Sequence, residues 1–280
     1  VRRRSGDARS ADRLNGGYVE IIVCIRLVPD LSETEIEIGR DGVTLADDDL
    51  DYDVNEWDNF AIEAAVRLKE EHSGRVTAMT VGDEESEDVL RRALAMGADE
   101  AVHLMDDAFA GSDALGTATI LHRAIASRPF DLILTGAISG DEARGHVGPM
   151  LAAMLDIPMV ALATELSVEG GTATVRHEVE GGLERITRMV LPALVTTQTG
   201  LNEPRYVSIR GIRKVAGMEI PVLAAGDLDL DSSHVGVTGS AVTVEEIFLP
   251  PRGGGAEMLE GSEETVVEKL VERLQREGAF

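Results

Sequence analysis

The residues with the clearest potential for chemistry lie in a loop from Gly136 to Val147, between a short apolar strand and a helix rich in Ala, Leu and Met. A loop in this position brings free backbone N–H groups and the positive end of a helix together, which favours an anion. Arg144 and His146 add side-chain donors for a phosphate. Three glycines allow the backbone to approach a ligand or to adopt positive φ: Gly140, Gly145 and Gly148. The pattern predicts a phosphate site, and an ordinary strand-to-helix turn is the alternative.

The composition limits the class of protein. The chain has 280 residues, of which 44% are hydrophobic, and this can form one large α/β domain with appendages or two smaller domains. A formal net charge of -25 disfavours nucleic acid and anionic membrane surfaces as partners, although the acidity could also serve solubility alone. The single cysteine, Cys24, excludes an internal disulfide and a cysteine-based metal site, and we expect it to be a small buried hydrophobe.

No apolar run in the sequence is long enough to span a bilayer, and the basic start of the chain is not followed by the apolar core of a signal peptide. We therefore expect a cytoplasmic protein without membrane insertion. No His or Cys pair stands at metal-binding spacing. The acidic run at 47–51 could suggest a cation site, but it lacks the glycine turn and closing Glu of a calcium loop, so a solvated loop is the simpler interpretation.

Strands and helices alternate through the first half of the sequence. Apolar, β-branched runs predict strands at 19–25, 75–82, 101–104 and 130–136, and helical periodicity predicts helices near 55–69, 84–96 and 112–126. Asp53 or Asn55 can cap the first of these helices. This alternation predicts a parallel sheet with helices on both faces and a ligand site at the carboxyl ends of its strands.

The second half of the sequence has a different character. Two Glu-Gly-Gly turn signals separate β-rich runs and predict antiparallel hairpins over 164–191, followed by another core strand at 192–197. We divide the chain into a disordered extension (1–17), an α/β domain (18–222), and a linker with a C-terminal helix (223–280). The last helix is expected from a Ser262 cap to about Glu277, with an apolar stripe that would pack on its own domain or on another subunit.

One segment carries a family resemblance. The run 191–214, centred on Leu-Asn-Glu-Pro-Arg-Tyr at 201–206, closely resembles the signature of the electron transfer flavoprotein β subunit family. Four earlier segments also match the family, in the same order as in the family, at 24–30, 55–58, 93–99 and 178–182. The resemblance implies an adenine-nucleotide α-hydrolase-like, Rossmann-like fold, an α-subunit partner, and AMP or a second FAD in this subunit, with the redox FAD shared with the α subunit.

The resemblance also implies nucleotide-binding residues at strand ends and helix starts. They are Cys24, Asn55, Glu56, Trp57, Asp58, Val81, Gly136, Ala137, Ser139, Gly140, Asp141, Arg144, Gly145, His146 and Val147. Within the loop, four residues depart from the usual family pattern and imply altered phosphate contacts: Ala137, Ala143, Arg144 and His146.

The segment 201–214 corresponds to the family's recognition loop for dehydrogenases, with Ile209 at the position of the inserted apolar residue. Four basic residues surround it and would form a rim suited to an acidic partner: Arg205, Arg210, Arg213 and Lys214. An ordinary surface loop is the alternative. Glu178 could reach the partner subunit, or could simply be an exposed hairpin acid.

These expectations combine into a subunit that orients the flavin of its α partner and passes electrons from flavin dehydrogenases to an acceptor oxidoreductase, without being a stand-alone enzyme. The alternatives are an ATP-binding stress protein and an adenylating or hydrolysing enzyme of the same fold. The Leu-Val-Pro-Asp sequence at 27–30 disfavours such an enzyme, whose first strand is usually followed by a Ser-Gly-Gly-type loop.

Overall fold

The structure is a computed structural model that describes residues 18–31, 36–46, 50–251 and 255–279. The expected extension at 1–17, the acidic residues 47–49 and the linker residues 252–254 lie outside the described residues. Within the described part, the strands are β1 (Glu20–Cys24), β2 (Leu27–Pro29), β3 (Tyr52–Val54), β4 (Arg75–Val81), β5 (Glu100–Leu104), β6 (Leu132–Gly136), β7 (Met159–Glu169), β8 (Thr172–Val179), β9 (Leu183–Val190), β10 (Ala193–Thr197) and β11 (Val222–Leu223). The α-helices are α1 (Glu56–His72), α2 (Glu87–Met96), α3 (Ala114–Ala126), α4 (Val147–Leu155), α5 (Ile209–Val215), α6 (Gly236–Gly239) and α7 (Glu263–Arg276).

Nine strands form one sheet, in the order β11-β5-β4-β1-β6-β10-β7-β8-β9. All pairings from β11 to β7 are parallel, and β8 and β9 add antiparallel pairings at one edge. The prediction of a mainly parallel α/β sheet with an antiparallel part is therefore confirmed. Strands β2 and β3 form a separate antiparallel pair.

Helices cover both faces of the parallel strands, which explains why β1 is a continuous apolar run instead of an alternating one. Ile21 and Val23 pack in one cluster with apolar residues of α1 and α2. Ile22 and Cys24 pack in a second cluster with residues of α3 and α4. Burial of each large aliphatic side chain contributes about 1.5 to 3 kcal/mol, so these two layers hold the strand ends in fixed positions.

The hairpin region continues the main sheet and is not a separate unit. The first half of β7 pairs in parallel with β10, and its second half pairs antiparallel with β8. Leu162 has a φ of 59° where the pairing with β10 shifts register. The sequence signals began only at 164, so they located the antiparallel half of this strand and not its parallel half.

The C-terminal residues separate into a packed segment and an arm. Leu228 and Val235 belong to the core cluster of α3 and α4. Helix α7 begins after the Ser262 cap, as expected, but none of its residues is buried, and Val267, Leu270 and Val271 are exposed. Its apolar stripe is therefore uncovered in this chain.

Candidate functional site

The candidate site lies where the order of the parallel strands changes direction. From β1 the chain adds β4, β5 and β11 on one side, whereas β6, β10 and β7 lie on the other side. A crevice forms at such a switch point outside the carboxyl ends of the strands. Here a cleft of about 790 Å³, part of it open to solvent, lies at the ends of β1 and β6.

Most of the nucleotide residues expected from the sequence line this cleft. They are Cys24, Asn55, Asp58, Val81, Gly136, Ala137, Ser139, Arg144, Gly145, His146 and Val147. Four expected residues are not among the lining residues: Glu56, Trp57, Gly140 and Asp141. Glu56 is exposed in the first turn of α1. Trp57, Gly140 and Asp141 support the cleft wall. The Trp57 carbonyl accepts a hydrogen bond from Thr197 Oγ1 at 3.0 Å. Gly140 binds Asn55, and Asp141 pairs with Arg26, as described below.

Asn55 and Asp58 fasten the start of α1 to the ends of β1 and β6. Asp58 accepts the backbone N–H groups of Arg26 and Gly136, each at 2.8 Å. Asn55 donates through Nδ2 to the Ile138 carbonyl at 2.9 Å and accepts the Gly140 N–H at 3.1 Å. Asn55 is the N-cap residue of α1, but its side chain does not cap the helix. It orders the loop instead.

Burial changes the protonation of two groups at this junction. It raises the pKa of Asp58 to about 7, although the hydrogen bonds from Gly136 and Arg26 act in the opposite direction. Burial, with a smaller effect from the charge of Asp58, raises the pKa of the Cys24 thiol to about 12. Cys24 is thus a neutral, buried thiol at neutral pH, in agreement with the expectation of a small hydrophobe.

The loop after β6 needs glycine at specific positions. A Cβ on Gly136 would collide with Asp58 Oδ1 and would lie 2.7 Å from Trp57 Cβ. A Cβ on Gly148 would lie 2.7 Å from Thr196 Cγ2, so this glycine lets α4 pack closely on β10. Gly145 has a φ of 61°, and Ala143 has a φ of 52°, which is unfavourable for a residue with a side chain. Strain of this kind is often found at binding sites.

Two arginines and two carboxylates form a chain of ion pairs along the loop. Arg26 Nη2 lies 2.6 Å from Asp141 Oδ2 and 3.6 Å from Glu142 Oε1. Glu142 Oε2 lies 3.3 Å from Arg144 Nε. Arg26, Glu142 and Arg144 all line the cleft. Arg26 and Glu142 were absent from the sequence prediction, although Arg26 directly follows the first strand within the family-like run at 24–30.

The N-terminus of α3 forms a further wall that the sequence analysis did not assign to the site. Ser112, Asp113, Ala114, Thr117 and Leu121 line the cleft there. Burial would raise the pKa of Asp113, but hydrogen bonds from the N–H groups of Gly116 and Ala241 bring it below its ordinary value. These bonds measure 2.9 and 2.8 Å. The sequence did contain a signal for this wall, namely the Ser-Asp cap before an apolar helix. A helix that follows a parallel strand starts at the carboxyl edge of the sheet, where the ligand site was expected.

The expected docking residues lie elsewhere, on and before α5. Ile209 is 67% exposed at the start of this short helix, and Arg210, Arg213 and Lys214 are also exposed. The segment expected to be a loop is therefore partly helical, with Ser208 Oγ accepting the Gly211 N–H at 3.1 Å as its cap. Arg91 donates to the carbonyls of Val215 and Met218 and thereby secures the other end of α5.

Arg205 differs from the other basic residues of this segment because its guanidinium is engaged within the chain. Its Nε lies 2.8 Å from Glu63 Oε2, and its Nη1 lies 2.8 Å from Glu70 Oε1. The Glu63 side chain is only 2% exposed. The structure thus separates Arg205 from the exposed basic residues around Ile209.

Glu178, the other residue expected to reach a partner, is exposed on β8, directly opposite Glu184 on β9.

The described residues hold neither a metal-binding cluster nor a membrane-spanning helix. Within that part of the chain, no group of three or more His, Cys, Asp or Glu residues could hold a metal ion. No helix among the same residues is sufficiently long and apolar to cross a bilayer.

The chain is also similar to known proteins. Residues 42–228 match the electron transfer flavoprotein domain family. The electron transfer flavoprotein subunit beta of Bacillus subtilis is 39% identical over 88% of this chain and 94% of its own length, and that of Megasphaera elsdenii is 38% identical over 91% and 98%. A subunit of the caffeyl-CoA reductase–Etf complex of Acetobacterium woodii is 36% identical over 87% of this chain and 93% of its own length. On these grounds the chain belongs to the electron transfer flavoprotein β subunit family.

Proposed function

We propose that this chain binds an adenine nucleotide, AMP or the adenylate part of a second FAD, in the cleft at the ends of β1 and β6. The observation that carries the proposal is the convergence of the residues expected from the family at one cleft. The starts of α1, α3 and α4 all contribute to its walls, and helix N-termini favour the negative charge of a phosphate. The chain binds the nucleotide and orients the flavin of its partner subunit, and the flavin supplies the redox chemistry.

The chain acts in a heterodimer with an electron transfer flavoprotein α subunit, which holds the redox FAD. The arm that ends in α7 supports this proposal, because the helix has an apolar stripe but no buried residue. An amphipathic helix of this kind gains stability by covering its apolar face. The relative from Acetobacterium woodii carries the name of a reductase–Etf complex, which is consistent with assembly of this chain into a redox complex.

Flavin dehydrogenases dock on the surface formed by Ile209 and the exposed residues Arg210, Arg213 and Lys214. An exposed apolar side chain with a basic rim suits a partner whose surface has an apolar pocket and acidic surroundings. Electrons then pass through the flavin of the heterodimer to an acceptor oxidoreductase.

The test is to purify the chain together with its α subunit and also alone, and to identify the released ligands by absorbance and mass. AMP with one FAD per heterodimer, or two FAD molecules, would each agree with the nucleotide proposal, and the count distinguishes a simple carrier from a bifurcating complex. A chain that ignores the α subunit and turns over ATP by itself would contradict the proposal and favour the enzyme alternative.

A further inference from the structure

We infer that Glu142 is a specificity-determining residue that makes the cleft select a nucleotide with one phosphate over a nucleoside triphosphate. The inference rests on the proposed nucleotide site and adds the charge class of its ligand. It starts from an unusual contact: each oxygen of the Glu142 carboxylate faces a different arginine.

The Glu142 carboxylate lies between two arginines. Oε1 lies 3.6 Å from Arg26 Nη2, and Oε2 lies 3.3 Å from Arg144 Nε. All three side chains line the cleft. Glu142 therefore occupies the position between two guanidinium groups that a phosphate group would take, since arginines bind carboxylate and phosphate oxygens through similar hydrogen bonds.

Glu142 differs from two other carboxylates of the cleft wall in what it binds. Asp58 and Asp113 each accept two backbone N–H groups, and these bonds fasten parts of the fold together. The carboxylate of Glu142 contacts arginine side chains, and its side chain is 40% exposed. It can rotate away without leaving a buried N–H group unpaired.

The charge balance between these groups favours a ligand with one phosphate. Arg26 remains paired with Asp141 at 2.6 Å, so a ligand that displaces Glu142 gains the equivalent of about one free positive charge from the two arginines. One phosphate, with a charge of about -1.5 to -2, replaces the displaced carboxylate with little excess charge. A triphosphate brings further negative charge close to both Asp141 and the displaced Glu142, and like charges at such distances repel.

The experiment compares the affinities of AMP, ADP and ATP for the full-length chain, freed of co-purified ligand by charcoal treatment, with those of the Glu142→Gln variant. Titration calorimetry gives the dissociation constants. The variant should bind AMP about threefold more tightly and ATP about tenfold more tightly, because removal of one nearby charge matters more for the more highly charged ligand. The preference for AMP over ATP should therefore decrease.

A matched control is Glu100→Gln. Glu100 is similarly exposed and pairs with Arg75 at 2.7 Å, but it lies at the amino end of the strands, away from the cleft. This variant removes the same charge and one ion pair with an arginine, and it should keep the wild-type affinities.

Three outcomes would overturn the inference. If Glu142→Gln weakens all three nucleotides equally, Glu142 only holds the loop in place. If it keeps the wild-type ratio of AMP to ATP affinity, the inference fails while AMP binding by the wild type still supports the nucleotide site. If no adenine nucleotide binds to the wild type or to either variant, the proposed site and the inference fail together.

Discussion

The Asp58 carboxylate accepts the backbone N–H of Gly136 at 2.8 Å and thereby joins the first turn of α1 to the end of β6. The same carboxylate accepts the N–H of Arg26 at 2.8 Å, just after β1. One side chain therefore holds together the two strand ends between which the cleft opens. The shape of the cleft depends on this junction as much as on the residues that would contact a ligand.

The junction leaves no room for a side chain at Gly136. The variant Gly136→Ala places a Cβ against Asp58 Oδ1 and 2.7 Å from Trp57 Cβ, so the loop or the start of α1 must move. We expect a loss of about 1 to 3 kcal/mol in the free energy of unfolding, the usual cost of overpacking. We also expect loss of nucleotide binding. Urea denaturation and calorimetric titration with AMP measure the two effects.

Gly140 offers the matched control in the same loop. A Cβ there would have Asn55 Oδ1 as its nearest neighbour, at 4.0 Å. We expect Gly140→Ala to keep both stability and binding. If Gly140→Ala lowers stability and binding as much as Gly136→Ala does, the loop rejects side chains for a reason other than contact with Asp58.

A second prediction concerns pH and the ionisation of Asp58. Its folded-state pKa is about 7, above the ordinary value of 3.8. Because the pKa is raised in the folded state, the Asp58 carboxyl group loses its proton at a lower pH in the unfolded chain than in the folded chain. Its ionisation therefore reduces the free energy of unfolding as pH rises from about 4 to about 7, and it has no further effect above that range. Relative to Asp58→Asn, which cannot ionise, the wild type should lose about 2 to 3 kcal/mol of unfolding free energy between pH 5 and pH 8.

Urea denaturation of both proteins at pH 5, 6, 7 and 8 gives this difference, and other titrating groups cancel in the comparison. A wild-type minus variant difference that stays constant with pH would show that Asp58 is already ionised at pH 5. In that case the hydrogen bonds from Arg26 and Gly136 would outweigh the effect of burial.

A third prediction separates the two kinds of arginine in the signature segment. Arg205 pairs with Glu63, which is 2% exposed, and hydrogen bonds to Glu70 and Glu63 raise the pKa of the guanidinium further above its ordinary value. Removing one partner of a buried ion pair leaves the other charge without compensation. Because Arg67 still contacts Glu63 and the Arg205 side chain is 33% exposed, we expect Arg205→Ala to cost about 1 to 3 kcal/mol, less than the loss of a partner in a fully buried pair.

Arg210 is the control for this substitution because its side chain is exposed on α5. Arg210→Ala should change the free energy of unfolding by less than about 0.5 kcal/mol, as is usual for surface positions. If both variants unfold at the same urea concentration as the wild type, Arg205 is not a structural residue and belongs with the basic rim, as the sequence suggested.

The sequence predicted those features that depend on local periodicity or on a short motif. Hydrophobic patterns located α1, α7 and five of the parallel strands, namely β1, β4, β5, β6 and β10, and the Ser262 cap marked the start of the last helix. Chain order then placed the ligand site at the carboxyl ends of the strands. The predictions of helices and strands succeed because apolar periodicity and capping are properties of neighbouring residues, whereas the ligand site stays a prediction.

Features that depend on contacts between distant residues were missed. The ion pair between Arg26 and Asp141 joins residues 115 positions apart, and nothing in either local sequence indicates it. The same is true of Arg205 and Glu63, which are 142 positions apart. A charged residue in a motif can serve either a partner or the fold, and only the tertiary structure shows which charged groups face it.

The last prediction tests the proposed docking surface through Ile209. Its side chain is 67% exposed at the start of α5, and Val215 is the buried anchor of that helix, so Ile209→Ala should leave stability unchanged. Loss of an apolar anchor at the centre of an interface typically costs 2 kcal/mol or more, so we expect affinity for a flavin dehydrogenase to fall by about thirtyfold. Surface plasmon resonance with the intact heterodimer measures this, and Ile186→Ala, an equally conservative change at a 60% exposed residue of β9, serves as the control. Equal affinities for the wild type and both variants would place the docking site elsewhere, whereas a loss confined to Ile209→Ala would assign the recognition of dehydrogenases to α5.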